Sequence, residues 1–420
     1  MCNRYKFASF FVSVSILQVI PMGMCQRTTL DNPFSIQLYR SLKDLAFGFI
    51  GRSSSSNAQG RHFRGVEEQD RTQYKIPDSL PFPCNKTGGR SRTVPSSVHR
   101  LRPGDIDVIA AMGDSLTAGF GLYANNIFDL FIENRGSSAF GGGQGTWRDT
   151  LTLPNILKEF NGNLFGFATR DAWSHHPESQ FNVAESTSMS RDMPYMAKSL
   201  ISRMRSDPRV DMTNHWKLVS IFIGANDICS DICYNPSAWA SLDNHKADML
   251  TTLRLLKDNL PRTLVSIVPV PDIKTLVEMK GRSKLCRITT DIECSCGFGL
   301  RFRHRRQEFF EINRRWIDLD EAIGTYPEFQ TKDFAVVVQP ITGNAQFPTL
   351  PDGRTDFRYL SADCFHLSQI ANARTAFSIW RDLLEPVDQK TRSWDELDPD
   401  LGNFPCPTRE RPFIATSGNS

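Results

Sequence analysis

The chain has 420 residues, 40% of them hydrophobic and 23% charged, an ordinary composition for a globular protein and enough for one large domain with extensions. Its net charge of +3 is too small at this length to point to nucleic acid as a partner.

Residues 1–25 read as a secretory signal. Arg4 and Lys6 give a basic start, Phe7 through Ile20 is uncharged and mostly apolar, and short residues follow around Gly23 and Cys25. A membrane anchor is the other reading, but the apolar core is short for a span. No later stretch is long and apolar enough to span, and no hydrophobic tail of the lipid-anchor kind stands at the C-terminal side. Eight cysteines lie beyond the signal: Cys84, Cys229, Cys233, Cys286, Cys294, Cys296, Cys364 and Cys406. An even count in a secreted chain suggests disulfides, although sequence alone does not fix the pairing. Zinc ligation by Cys294-Ser295-Cys296 and Cys229-x-x-x-Cys233 is the weaker alternative, since the spacing matches no paired C-x-x-C knuckle. Asn85-Lys86-Thr87 is a sequon for N-glycosylation.

Residues 26–100 have little regular pattern. With the serine run Ser53–Ser56 between glycines and arginines, they read as an extension or propeptide, with Ser41–Ile50 a helical turn or two. From Leu101 to about residue 390, apolar runs alternate with helical segments. Strands are expected at Ile106–Ala111, Phe181–Ala184, Lys217–Ile223, Thr263–Val268 and Phe334–Val338. Helices are expected at Pro154–Phe160, Pro194–Arg205, Ala238–Leu260, His304–Ile323 and Gln369–Leu384, each with an apolar stripe or a proline at a terminus. Residues 391–420 form a tail expected to be tied by a disulfide. Five strands alternating with helices predict a mostly parallel, flavodoxin-like sheet covered on both faces, a three-layer α/β/α domain. The basic run Arg301–Arg306 reads first as a solvated helix start.

Chemistry-bearing residues collect where these strands end. Ser115 follows the first strand in Gly113-Asp114-Ser115-Leu116. Asn182-Val183-Ala184-Glu185-Ser186-Thr187 follows the second, Gly224-Ala225-Asn226-Asp227 the third, and Asp363-Cys364-Phe365-His366 precedes the last helix. In open α/β sheets this rim is where ligands bind. Asp363 and His366, three apart, can share one side of a turn, so that the carboxylate holds one ring nitrogen and the other faces a serine hydroxyl. Asn226 can donate to a developing oxyanion, and Asp227 can tie its loop by accepting backbone N–H groups.

Gly113-Asp114-Ser115-Leu116, Gly224-x-Asn226-Asp227 and Asp363-x-x-His366 resemble blocks I, III and V of the GDSL, or SGNH, hydrolases. Val98–Ile106, Thr152–Leu157, Val337–Pro340, Leu384–Val387 and the run Gly141–Trp147 resemble segments of the animal phospholipase B branch. The resemblance spans about residues 80 to 410. It implies a secreted ester hydrolase acting on lipid or other esters, most often phospholipids or lysophospholipids, with Ser115 as nucleophile, His366 as base and Asp363 orienting it. The implied oxyanion hole comprises the Ser115 N–H, the Asn226 amide and the N–H of the block II residue. That last position is Thr187 here, where relatives carry glycine, and a β-branched residue is expected to be strained there. The resemblance implies no metal and no organic cofactor. Expected partners are the ester substrate and a membrane surface, with neither nucleic acid nor an obligate protein partner. A lipid-binding protein of the same fold with little hydrolysis, and acyl transfer to an acceptor other than water, are the alternatives.

Overall fold

The computed structural model describes residue 30 and residues 32–50, 71–394, 396–398 and 401–420. The expected signal and the serine run lie outside the described residues. The chain divides into two units, residues 1–51 and 52–420. In the first, a helix covers Pro33–Ile50, longer than the turn or two expected. It is capped by Asn32, whose Oδ1 accepts the N–H groups of Phe34 (2.9 Å) and Ser35 (3.2 Å).

The second unit is built on four parallel strands in sequential order: β1 (Ile106–Gly113), β2 (Trp216–Phe222), β3 (Thr263–Ile267) and β4 (Phe334–Val338). They are mostly apolar and buried along almost their whole length, as expected of strands covered on both faces. Their side chains divide between two cores. Ile109, Ala111, Leu218, Leu264, Ala335 and Val337 pack with the helices Leu153–Leu157 and Gln369–Leu384. Val108, Ala110, Met112, Val219, Ile221 and Val336 pack with Met193–Ser206, Ala240–Asn259 and the end of Arg306–Ile323. The result is the three-layer α/β/α arrangement. No described helix is long and apolar enough to cross a membrane.

The sheet differs from expectation in one place. Phe181–Ala184 is not a fifth strand but bridges the free edge of β1 singly. Ala111 donates to the Phe181 carbonyl (3.1 Å), and Val183 to that of Ala111 (2.9 Å). The cause is that two separate pieces of chain share this edge. Phe165 pairs beside Val108, the chain departs after Gly166 (φ 96°), and it returns at Phe181, whose N–H meets the Gly166 carbonyl at 2.9 Å. Neither piece pairs for long enough to form a ladder. Counting that edge, the order is still the 2-1-3-4-5 of a flavodoxin-like sheet, and the topological switch lies at the carboxyl end of β1.

Residues 71–100 belong to this packed body as irregular chain. Ile76, Cys84 and Val98 are buried in its core. All eight cysteines after residue 25 pair as Cys84–Cys406, Cys229–Cys294, Cys233–Cys296 and Cys286–Cys364. The first ties the C-terminal tail. The other three converge on a helical insertion between β3 and β4, whose helix Lys284–Glu293 sequence periodicity does not announce.

Candidate active site

The carboxyl ends of β1 and β2 carry the first two site loops. At the end of β1, Gly113 has φ 153°, and a Cβ there would lie 2.1 Å from the Phe222 carbonyl oxygen, so only glycine fits the turn. Asp114 then caps the short helix Ser115–Ala118 by accepting the Leu116 N–H at 2.9 Å. Ser115 is the first residue of that helix, where an N–H has no acceptor within the helix and points outward.

The structure brings Ser115, His366 and Asp363 together. His366 Nε2 lies 2.8 Å from Ser115 Oγ, and Nδ1 lies 2.6 Å from Asp363 Oδ2. The carboxylate can only accept, so Nδ1 carries the proton and Nε2 is free to accept from the serine hydroxyl. Asp363 Oδ1 accepts the N–H groups of Phe365 and His366, both at 3.0 Å. The turn that permits this has Cys364 at φ 59°, and the Cys286–Cys364 disulfide anchors it. All three side chains are buried, and Phe120 and Phe365 flank the imidazole with ring centroids 4.8 and 5.2 Å away.

Burial works against charge on the imidazole. The Asp363 carboxylate, with its hydrogen bond, and the more distant Glu293 and Asp114 outweigh it, and the His366 pKa is raised above the ordinary histidine value. Asp363 is held below the usual carboxylate range, because His366 and the backbone donors overcome its own burial. Burial pushes Asp114 up to about 7 and Asp227 up to about 6. Glu293, Asp363 and His366 bring donor atoms within 4.8 Å of one another, a metal-like grouping. Nδ1 of His366 carries the proton that faces Asp363, and the Nε2 lone pair faces the Ser115 hydroxyl.

Asn226 follows β2 through Gly224 (φ 117°), where a Cβ would press on Trp316. Its Nδ2 donates to the Ser188 carbonyl at 2.9 Å, and the same nitrogen carries a second hydrogen. Thr187, on that same turn, is exposed and has φ 69°. The backbone therefore adopts the left-handed conformation that glycine favours, despite the β-branch. Asp227 accepts the Ser190 N–H at 3.0 and 3.2 Å and so ties the Thr187 loop to the β2 loop. The run at Gly141 is packed rather than open. Gly141–Gly143 are buried, and the Gly142 and Gly143 N–H groups bond to Ser138 and Ala168 carbonyls.

Two supporting networks have no local sequence motif. Arg135 and Glu133 form a fully buried ion pair. The Arg135 guanidinium also holds the carbonyls of Ala172 (2.8 Å), Asn182 (3.0 Å) and Ala184 (2.6 Å), fixing the approach to Thr187. Behind Asp227, Ser190 Oγ lies 2.8 Å from His245 Nδ1, and His245 Nε2 lies 2.9 Å from Asp320. This second Ser-His-Asp set is 1–2% exposed, out of reach of any substrate, and braces the Asn226 loop. Beside Ser115 opens an apolar cavity of about 100 Å³, lined among others by Leu116, Phe222, Ala225, Ile228, Val270 and Phe365.

A family model described as GDSL-like Lipase/Acylhydrolase matches residues 109–379. The chain is similar to "Phospholipase B1, membrane-associated" of Homo sapiens, 38% identical over 334 residues, covering 79% of this chain and 22% of that protein. The Rattus norvegicus protein of the same name is 33% identical over 376 residues, covering 87% and 25%. That of Mus musculus is 34% identical over 343 residues, covering 81% and 22%. The chain thus spans about a quarter of the length of these relatives.

Proposed function

Because the chain belongs to the GDSL-like lipase/acylhydrolase family, we propose that it hydrolyses carboxylic esters of lipids, phospholipids or lysophospholipids above all, through an acyl-enzyme on Ser115. The observation that carries this reading is the unbroken chain of hydrogen bonds from Ser115 through His366 to Asp363. Ser115 Oγ attacks the ester carbonyl as its proton passes to His366 Nε2. Asp363 holds the imidazole in the accepting tautomer and stabilises the imidazolium that forms. The Ser115 and Thr187 N–H groups and the Asn226 amide receive the oxyanion. His366 returns the proton to the leaving alkoxide, and a water, activated by the same nitrogen, frees the acid. The apolar cavity beside Leu116 takes up part of the acyl chain. Four disulfides support an extracellular compartment.

Lipid binding with little hydrolysis is a second reading, and what favours it is the strained threonine at the oxyanion turn. Reaction with a fluorophosphonate probe, followed by turnover on a panel of phospholipid, lysophospholipid and neutral esters, separates the two. Labelling at Ser115 and ester turnover are expected. Ser115→Ala should lose both, with turnover down by roughly 10⁴-fold or more. Full turnover in that variant would overturn the mechanism.

A further inference from the structure

We propose that the outer face of the helix Lys284–Glu293, with Leu300 beyond it, is a docking surface for an anionic phospholipid bilayer. The inference rests on the lipid-ester reading above and assigns the surface through which such a substrate is met.

The helix presents two faces of opposite use. Its inner face is fixed to the candidate active site. Cys286 is bonded to Cys364, Thr289 Oγ1 donates to the Asp363 carbonyl at 2.5 Å, and Thr290 is fully buried. Its outer face carries Leu285, Ile288 and Ile292 at i, i+3 and i+7, a single helical stripe. These side chains are 44%, 59% and 50% exposed, and Leu300 is 83% exposed. Scattered exposed aliphatics are common on any surface, but a stripe of three on one short helix is a contiguous patch and marks an interaction site.

Charge selects the occupant. Lys284 and Arg287 on the helix, and Lys280, Arg301 and Arg303 close to it in sequence, are exposed, and Asp291 is the one exposed acid between residues 280 and 304. Apolar residues flanked by Lys and Arg are what an interfacial helix uses, burying the apolar stripe at the headgroup boundary while the cations meet anionic lipid. A second copy of this chain would bring the same cations face to face, at a cost in like-charge repulsion. The helix is also too short to span a bilayer, so the contact is peripheral. Seating this face on lipid puts the bilayer surface directly behind the loop that carries the base.

The test uses the full chain carrying Ser115→Ala, so that vesicles stay intact, in flotation with phosphatidylcholine vesicles with and without phosphatidylserine. Binding is expected to rise with phosphatidylserine and to fall with salt. Adding Ile288→Glu and Ile292→Glu should weaken vesicle binding by at least roughly tenfold. The same pair in the chain with Ser115 intact should leave turnover of a soluble short-chain ester at the unsubstituted rate. Vesicle binding reads the surface and the soluble ester reads the site, so failure of one is told from failure of the other. Equal vesicle binding with and without the glutamates would overturn the proposal. So would a dimer in solution that those glutamates dissolve.

Discussion

In the proposed mechanism Ser115, His366 and Asp363 are ordinary side chains made reactive by position, and the pH profile is the sharpest reading of that. That mechanism needs the neutral imidazole, and Asp363 raises the His366 pKa above its ordinary 6.5. The rising limb of kcat/KM is therefore expected to sit at a pH higher than an unperturbed histidine would give. Asp363→Asn removes the charge that raises it, so the limb should move to lower pH. The amide also favours the wrong tautomer, and the rate should fall by up to roughly 10⁴-fold. Initial rates between pH 5 and 9 check both. Thr187 makes a different point. Its φ of 69° shows the turn already in the glycine-like conformation, so the threonine carries the strain. Thr187→Gly is expected to raise the unfolding free energy by about 1 kcal/mol, strain relieved less the added freedom of the unfolded chain. Its kcat on a short-chain ester should hardly change. A gain approaching the roughly 10²–10³ of a whole oxyanion donor would mean that threonine displaces the N–H. The turns that carry these residues were legible because each motif is local: Gly113, the cap Asp114 and Ser115 occupy three consecutive positions. Arg135, Ser190, His245 and Asp320 were not, since apart from the Arg135–Glu133 pair their contacts join residues 37 to 75 positions apart and no spacing encodes them.

At the level of elements, the strands and long helices followed the sequence closely. β4 and the helix Gln369–Leu384 have the expected ends, and β1 runs two residues further than expected, because apolar periodicity and buried β-branched runs report tertiary burial directly. The helix Lys284–Glu293 escaped notice for the opposite reason. Its buried face is made of cysteine and threonine and its aliphatics point outward, so its pattern does not mark a core-facing helix. The loop carrying Thr187 was readable as a rim element but not its support, a buried arginine. Arg135→Met would remove the buried guanidinium that Glu133 and the carbonyls of Ala172, Asn182 and Ala184 share. It is expected to lower stability by about 3–5 kcal/mol, measured by urea unfolding, and to loosen the Asn182–Ser188 turn enough to reduce ester turnover.

Across the whole molecule, stability should carry the signature of the two carboxyls buried behind the site. Asp114 and Asp227 have folded pKa values of about 7 and about 6 against an ordinary 3.8. A raised folded pKa means that the folded state holds the proton longer than the unfolded chain. These groups therefore stabilise the fold below about pH 4, and that contribution is lost as pH rises through about 6 to 7. Asp114→Asn keeps a capping oxygen and removes one of these titrations. Its unfolding free energy relative to the unsubstituted protein should improve between pH 5 and pH 8, and denaturant titrations at the two values would show it. The Cys84–Cys406 bond has a consequence of another kind. Its two cysteines are 322 residues apart, whereas the remaining three bonds close within 63 to 78. Of the eight cysteines in these four bonds, Cys84 is synthesised first and Cys406 last, so Cys84 waits for its partner while the six cysteines of the other bonds are made. The outer bond is then the last to form, and a pulse-labelled chain trapped before completion should carry its free thiol at Cys84.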